Sequence, residues 1–159
     1  RDSVASRGLG DVYKRQLMVI AKTNESYKYL KSLFERRKVD KEYMAIVHGN
    51  FNQKKGRIET YMDRDKNNRR KMAVSQSGRI AISEYEVIRE VSGYSLVKIH
   101  IITGRTHQIR VHMTYLNHPL LGDPVYGNVK TKFNLDHQLL HCRHLAFCDQ
   151  YGNLSLIHI

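Results

Sequence analysis

Residues 80–112 read IAISEYEVIREVSGYSLVKIHIITGRTHQIRVH, and this stretch decides the fold. Apolar and polar residues alternate over Ile80–Val91 and again over Tyr94–Ile102, which predicts two long β-strands. Gly93 lies between them, where a tight hairpin turn needs a residue that tolerates a positive φ. The second strand runs into Thr103–Thr106, and three apolar residues then follow at helical spacing: Ile109, Met113 and Leu116. The stretch therefore predicts a β-hairpin that leads directly into a helix.

The remaining sequence is predicted to be mainly strands with one further helix. The other predicted strands are a buried one at Leu17–Ala21 and four more at Lys41–Val47, Gly56–Thr60, Lys71–Ser75 and Gln138–Phe147. The further helix has Thr23 or Asn24 as its cap, with Tyr27, Leu30, Leu33 and Phe34 on one face. Strands in series with few helices predict an α+β fold with a mixed, largely antiparallel sheet and flanking helices.

The composition favours a globular protein with a polyanionic partner. The chain has 159 residues, 41% hydrophobic and 26% charged, which excludes overall disorder. Lys and Arg outnumber Asp and Glu by 27 to 15, so the net charge is +12 with neutral histidines. Such a charge leaves RNA, DNA and anionic membranes open as partners. No apolar run is long enough for a membrane helix and no signal peptide is evident, so we expect a cytoplasmic protein.

Thr103–His112 holds a candidate anion site. Thr106 is the predicted cap of the helix, and Arg105, His107 and Arg110 cluster around its start. Free backbone N–H groups and guanidinium groups there suit phosphate or carboxylate. His107 and Arg110 are three residues apart, so they share a face opposite the apolar one. The alternative is an ordinary capped amphipathic helix with a surface arginine.

Several motifs in the same order resemble those of the RluA-type RNA pseudouridine synthases. They are LMVIAK (17–22), KEYMAIVHG (41–49), GRIE (56–59), RKMAV (70–74), TGRTHQIRVH (103–112), HPLLGDPVYG (118–127) and QLLHC (138–142). The resemblance covers about Leu17 to Leu154. It implies the catalytic domain of an isomerase that converts uridines of ribosomal or transfer RNA to pseudouridine without a cofactor. An aspartate in this family is the nucleophile.

The resemblance also implies the roles of particular residues. The arginine that pairs with the family's nucleophile corresponds to Arg110, and the tyrosine beside the target base corresponds to Tyr43. Leu139 and Leu140 resemble residues that line the uracil pocket. The other candidate substrate-binding residues are Arg105, His107, Gln108, Arg69 and Arg70. The alternatives are that Tyr43 is an ordinary half-buried strand tyrosine and that Arg110 is a structural surface arginine.

The nucleophile's own motif is the main departure from the family. The pattern HRLDxxTSG is expected at Gly8–Gln16, where this chain has GLGDVYKRQ, so Asp11 occupies the nucleophile's position by count alone. We interpret residues 1–16 as a segment foreign to the family, residues 17–154 as the C-terminal part of the catalytic domain and residues 155–159 as a second foreign tail. The alternative function is a catalytically inactive, basic RNA-binding fragment.

Three further expectations concern the histidine-rich segment, Asp123 and the basic segments. His137, His141, Cys142 and His144 have loosely zinc-like spacing but no second pair, so no metal site is predicted. Asp123 is expected to shape the turn in GDPVYG rather than to act in catalysis. The basic segments Arg64–Lys71 and Arg36–Lys41 are either phosphate contacts or a solvated basic face. The expected partner is RNA, with no membrane and no small-molecule cofactor, and the expected state is a monomer.

Overall fold

The sheet is antiparallel throughout the part of the chain that the computed structural model describes, residues 17–127 and 133–158. The elements are α1 (Asn24–Glu35), β1 (Asp40–His48), β2 (Lys55–Arg64), β3 (Met72–Ser75), β4 (Arg79–Val91), β5 (Tyr94–Ile101), α2 (Gln108–Tyr115), β6 (Leu140–Cys148) and β7 (Leu154–His158). Seven strands form one sheet in the order β3-β2-β4-β5-β1-β6-β7. The predicted α+β fold with a largely antiparallel sheet is confirmed, as are the strand predictions from Lys41 onward.

The β4–β5 hairpin forms where the sequence predicted it. Ser92 has φ 51° and Gly93 has φ 79°, so both central turn residues are left-handed, as a turn that follows the strand twist requires. Along β5 every second residue is buried: Ser95, Val97, Ile99 and Ile101. The side chains of Val97, Ile99 and Ile101 join the core cluster that includes Ile109 and Met113 of α2. The hairpin therefore supplies the surface on which α2 packs.

Helix α2 begins later than predicted, and its start is fixed by a glutamine. Thr106 is exposed and does not cap the helix; the N-cap residue is His107, with φ 56° and no side-chain cap bond. The Gln108 amide oxygen instead accepts hydrogen bonds from the Thr103 hydroxyl (2.7 Å) and the Arg105 backbone N–H (2.9 Å). Its Nε2 donates to Ile82 O (2.9 Å) and the Ser83 hydroxyl (2.8 Å). The loop after β5 is thus tied to β4 through one side chain.

The N-terminal elements follow the prediction only in part. Thr23 caps α1 in a reciprocal capping box with Ser26, and Leu33 is buried against Leu145. Tyr27 and Phe34, however, are 38% and 43% exposed, so the predicted apolar face is only partly buried. The buried strand predicted at Leu17–Ala21 is wrong. That segment is irregular, although the Leu17 N–H donates to Cys142 O at 3.2 Å.

Leu17–Ala21 does not form a strand because it lacks a backbone hydrogen-bond ladder with a neighbouring strand. Leu17 and Val19 pack on the cluster around Leu33, while Met18 and Ile20 are 53% and 66% exposed. Alternating burial is therefore present, but a ladder with the β6 edge does not form, and β7 pairs with β6 from His144 onward.

No helix in the described part of the chain is long and apolar enough to cross a membrane.

His112 joins α2 to two strands and is expected to make stability depend on pH. Its Nδ1 lies 2.9 Å from the Ser83 hydroxyl and its Nε2 3.1 Å from the Thr60 hydroxyl. Burial lowers the pKa of His112 to about 4, because the charged imidazolium is poorly solvated there. The unfolded chain, with a histidine pKa of about 6.5, binds the proton more readily.

We therefore expect this contribution to stability to be complete above about pH 6.5 and to be lost as the pH falls toward 4, by up to about 3 kcal/mol. Urea unfolding of the wild type and of His112→Gln over this pH range measures it. The variant should lose this part of the pH dependence. Equal slopes in both proteins would contradict the assignment.

Candidate active site

A cleft of about 170 Å³ lies where β1, the loop after β5, the start of α2 and the start of β6 meet. It is lined by Tyr43, Ile101, Arg105, His107, Gln108, Ile109, Arg110, Gln138 and Leu140. Six of the residues singled out in the sequence are among them: Tyr43, Arg105, His107, Gln108, Arg110 and Leu140. The fold thus brings together side chains from three motifs that are far apart in the sequence.

Arg110 is held in the cleft wall by a buried ion pair. Its Nε and Nη2 donate to the two carboxylate oxygens of Asp123 at 2.7 and 2.6 Å. Arg110 is 7% exposed and Asp123 is 3% exposed, so the alternative of a surface arginine is wrong. The predicted anion site is also only partly correct, because two donor nitrogens of Arg110 already bind a carboxylate of the same chain.

Asp123 is charged in spite of its burial. Burial by itself raises the pKa of this carboxyl, but hydrogen bonds from Arg110 and from the backbone N–H groups of Tyr126 and Val125 outweigh it, and the pKa lies below the ordinary value. The two backbone bonds are 3.0 and 2.9 Å long. Asp123 therefore shapes its turn, as expected from the sequence, and also holds the guanidinium of Arg110.

Tyr126 belongs to the same cluster as Arg110 and Asp123, and its role was not predicted from the sequence. The Arg110 guanidinium carbon lies 4.8 Å from the centre of the Tyr126 ring, within cation–π distance. The Tyr126 hydroxyl lies 2.9 Å from His107 Nδ1 and accepts a hydrogen bond from the Met72 N–H at 2.8 Å. Because Met72 begins β3, Tyr126 joins the cleft to the basic loop before that strand. The only feature of the sequence that could have identified Tyr126 is its position in the GDPVYG turn.

Tyr43 forms another part of the cleft wall, close to Leu140. Both pack against the main core cluster, and Tyr43 pairs in register with Cys142 of β6. Burial raises the pKa of Tyr43 strongly, and the Cys142 thiol adds to this shift. The phenol is therefore neutral near pH 7. It offers an aromatic face and a hydrogen-bond donor, and it is a poor base.

Three of the predicted site residues, Leu139, Arg69 and Arg70, do not line the cleft. Leu139 is half-buried, and its backbone bonds to Leu121 and Ile46 instead. Arg69 and Arg70 are exposed in the loop between β2 and β3, whose next residue, Lys71, lies 5.9 Å from the Tyr126 ring centre. Asp11 lies outside the residues that the structure describes. Within the described residues, no group of three or more His, Cys, Asp or Glu side chains could hold a metal ion.

The fold and the sequence both match known proteins. The family model for RNA pseudouridylate synthase matches residues 17–115. Ribosomal large subunit pseudouridine synthase D of Borreliella burgdorferi is 46% identical over 114 residues, which are 71% of this chain and 35% of that protein. An uncharacterized RNA pseudouridine synthase of Mycobacterium bovis is 39% identical over 140 residues, or 86% of this chain and 46% of that protein.

A solved structure agrees with this at the level of the fold. The human RNA pseudouridylate synthase domain containing 1 superposes with a TM-score of 0.79 at 23% identity, over 87% of this chain and 61% of that one. The chain belongs to the RNA pseudouridylate synthase family, as its motifs predicted. It spans about a third to a half of the length of the curated relatives described here.

The Arg110–Asp123 pair should be a main determinant of stability. Asp123→Ala leaves the guanidinium buried without its carboxylate, so we expect the free energy of unfolding to fall by about 3–5 kcal/mol. Asp123→Asn should cost less, because its amide oxygen still accepts the two backbone bonds. Chemical denaturation measures both changes. In the control Asp136→Ala, an exposed carboxylate is removed and the change should stay within about 0.5 kcal/mol. Equal midpoints for Asp123→Ala and the control would refute this role.

Proposed function

We propose that this chain isomerises specific uridines of structured RNA to pseudouridine by an aspartate-dependent mechanism without a cofactor. The observation that carries the proposal is the cleft, in which Tyr43, Arg110 and Leu140 meet in a member of the RNA pseudouridylate synthase family. The relatives named as ribosomal large subunit enzymes favour ribosomal RNA as the substrate, with transfer RNA as the other candidate. We also propose a cytoplasmic monomer.

The reaction needs a controlled negative charge at the cleft. The bond between uracil N1 and ribose C1′ breaks, the base turns, and a bond from C5 to C1′ forms; C5 loses a proton and N1 gains one. A carboxylate attacks the sugar or the base, so a fixed cation beside it keeps it ionised and oriented. Arg110 fits this role, because its Nη1 donors make no hydrogen bond among the described residues while Asp123 fixes the rest of the guanidinium.

Tyr43 and Leu140 are suited to contact the uracil base rather than the ribose. An enzyme that acts on a base takes it out of the stack and holds it between aromatic or apolar side chains. Tyr43 offers its ring face and a protonated hydroxyl, and Leu140 offers an apolar wall. We assign Tyr43 to stacking and hydrogen bonding. Its raised pKa argues against the hydroxyl as the base that removes the C5 proton.

Binding of the RNA backbone falls to the basic residues around the cleft. Arg105 and His107 line it, and Arg69 and Arg70 extend from the loop that Tyr126 joins to it. The net charge of +12 supports a polyanionic substrate. These contacts supply affinity and orientation, while the cleft selects the base.

One observation favours a second candidate function, a basic RNA-binding fragment without catalysis. None of the nine residues that line the cleft in the described part of the chain is a carboxylic acid. The candidate nucleophile, Asp11, lies outside the described residues, and it matches the family only by count. Under this alternative RNA binds, but no uridine is converted.

Release of tritium from RNA labelled at C5 of uridine separates the two functions. We expect release by the wild type and its loss in Asp11→Asn. Arg110→Lys keeps a positive charge for Asp123 but loses the planar fork, so we expect the rate to fall about 100-fold or more. In the control Arg57→Lys, an exposed arginine paired with Glu84 is changed, and release should be unaffected. Full release by Arg110→Lys would remove Arg110 from the mechanism, and RNA binding without any release by the wild type would favour the second function.

RNA affinity should depend steeply on salt. Each phosphate contact releases condensed counterions, so the logarithm of the association constant should fall linearly with the logarithm of salt concentration, by about 0.7 per contact for single strands. Fluorescence anisotropy of a labelled RNA hairpin at several salt concentrations measures this slope. A flat response would contradict the phosphate contacts assigned here.

A further inference from the structure

Lys41 is a buried cation with no carboxylate partner among the residues that the structure describes. It lies on the same side of β1 as Tyr43, two residues away, and is only 9% exposed. Its Nζ lies 5.6 Å from the centre of the Phe34 ring, and it makes no ion pair or hydrogen bond among the described residues. Burial lowers its pKa, which reflects the poor solvation of the ammonium. A buried charge of this kind is unfavourable unless an anion joins it.

The nearest acid in the sequence does not supply that anion. Asp40 points to the other side of the sheet, where one carboxylate oxygen lies 2.6 Å from His100 Nε2 and the other 3.2 Å from His144 Nε2. That side holds further ion pairs, such as Lys55 with Glu86 at 2.6 Å and Arg57 with Glu84 at 2.9 Å. Asp40, Glu84 and Glu86 are therefore on the face opposite Lys41.

Gly104 leaves Lys41 open to a ligand. A Cβ at this exposed position would lie 3.6 Å from Lys41 Nζ, so a side chain there would cover the ammonium. Gly104 lies in the loop between β5 and α2, directly before Arg105. The absence of a side chain at Gly104 thus leaves room for a ligand beside Lys41 Nζ.

More positive charge surrounds this opening. Arg105 Nε donates to Ile80 O at 2.9 Å, which fixes its guanidinium at the cleft wall. Burial lowers the pKa of Arg105, and the nearby charges of Arg37 and Arg79 lower it further. None of these arginines forms an ion pair among the described residues. Like charges gathered without acids repel one another, and an anionic ligand relieves that repulsion.

We propose that Lys41 and Arg105, with Arg37 and Arg79 around them, bind a backbone phosphate of RNA beside the cleft. The proposal rests on the proposed RNA substrate. Because Arg105 also lines the cleft, the phosphate belongs to a nucleotide next to the one that the cleft holds.

Lys41→Met in the full chain tests the proposal, because it keeps most of the side-chain volume and removes the charge. The probe is a fluorescein-labelled RNA hairpin with uridines in its loop. We expect about tenfold weaker binding and a salt slope smaller by about 0.7 to 0.9, the loss of one phosphate contact. Without RNA, the melting temperature should rise, because a buried unpaired charge has been removed. Arg105→Gln should weaken binding and reduce the slope in the same way.

The matched control is Lys55→Met, which removes the same charge on the opposite face of the sheet. Its RNA affinity should stay within about twofold of the wild type, with the slope unchanged. The proposal is overturned if Lys41→Met lowers the melting temperature and leaves RNA affinity intact, since Lys41 is then only structural. It is also overturned if inorganic phosphate, at matched ionic strength, stabilises the wild type as much as the hairpin does.

The outcome separates this proposal from the isomerase function. RNA binding that depends on Lys41 but gives no tritium release supports the phosphate site and removes the isomerase. Tritium release together with RNA binding that is independent of Lys41 supports the isomerase and removes the phosphate site.

Discussion

The buried ion pair between Arg110 and Asp123 is the interaction on which the cleft depends. It joins the first turn of α2 to the GDPVYG turn, and two backbone N–H groups of that turn bind the same carboxylate. Tyr126, which follows in this turn, then covers the guanidinium and reaches His107 and β3. A single bidentate contact therefore fixes both the cation in the cleft and the loop that surrounds it.

The pair also sets the electrostatics of the site. Because Asp123 offsets part of the charge of Arg110, a second carboxylate in the cleft meets a directed donor and a positive field weaker than that of a free guanidinium. Such a carboxylate stays oriented and keeps more of its basicity than it would beside a free cation. Further positive charge comes from Arg105, which also lines the cleft, and from the exposed basic loop before β3.

The two faces of the sheet differ: one carries ion pairs, and the other carries the core and the cleft. On one side, ion pairs between neighbouring strands balance the charge, as in Lys98 with Glu86 at 2.8 Å. On the other side, α2 and the core cluster cover the central strands, and the cleft opens beside them. The period of two along each strand enforces this separation, because Glu42 and Lys41 must point to opposite sides.

The sequence by itself determined the strands β1 to β6, the hairpin at Gly93 and the family, because alternation and local motifs depend on near neighbours; strand β7 was not predicted. The family's motifs also singled out Tyr43, Arg110 and Leu140, which all line the cleft. Tertiary structure alone decided that Asp123 binds Arg110, that Gln108 rather than Thr106 fixes the start of α2, and that Leu17–Ala21 remains outside the sheet. Each of these depends on which distant group satisfies a buried charge or hydrogen bond, and no local pattern carries that information.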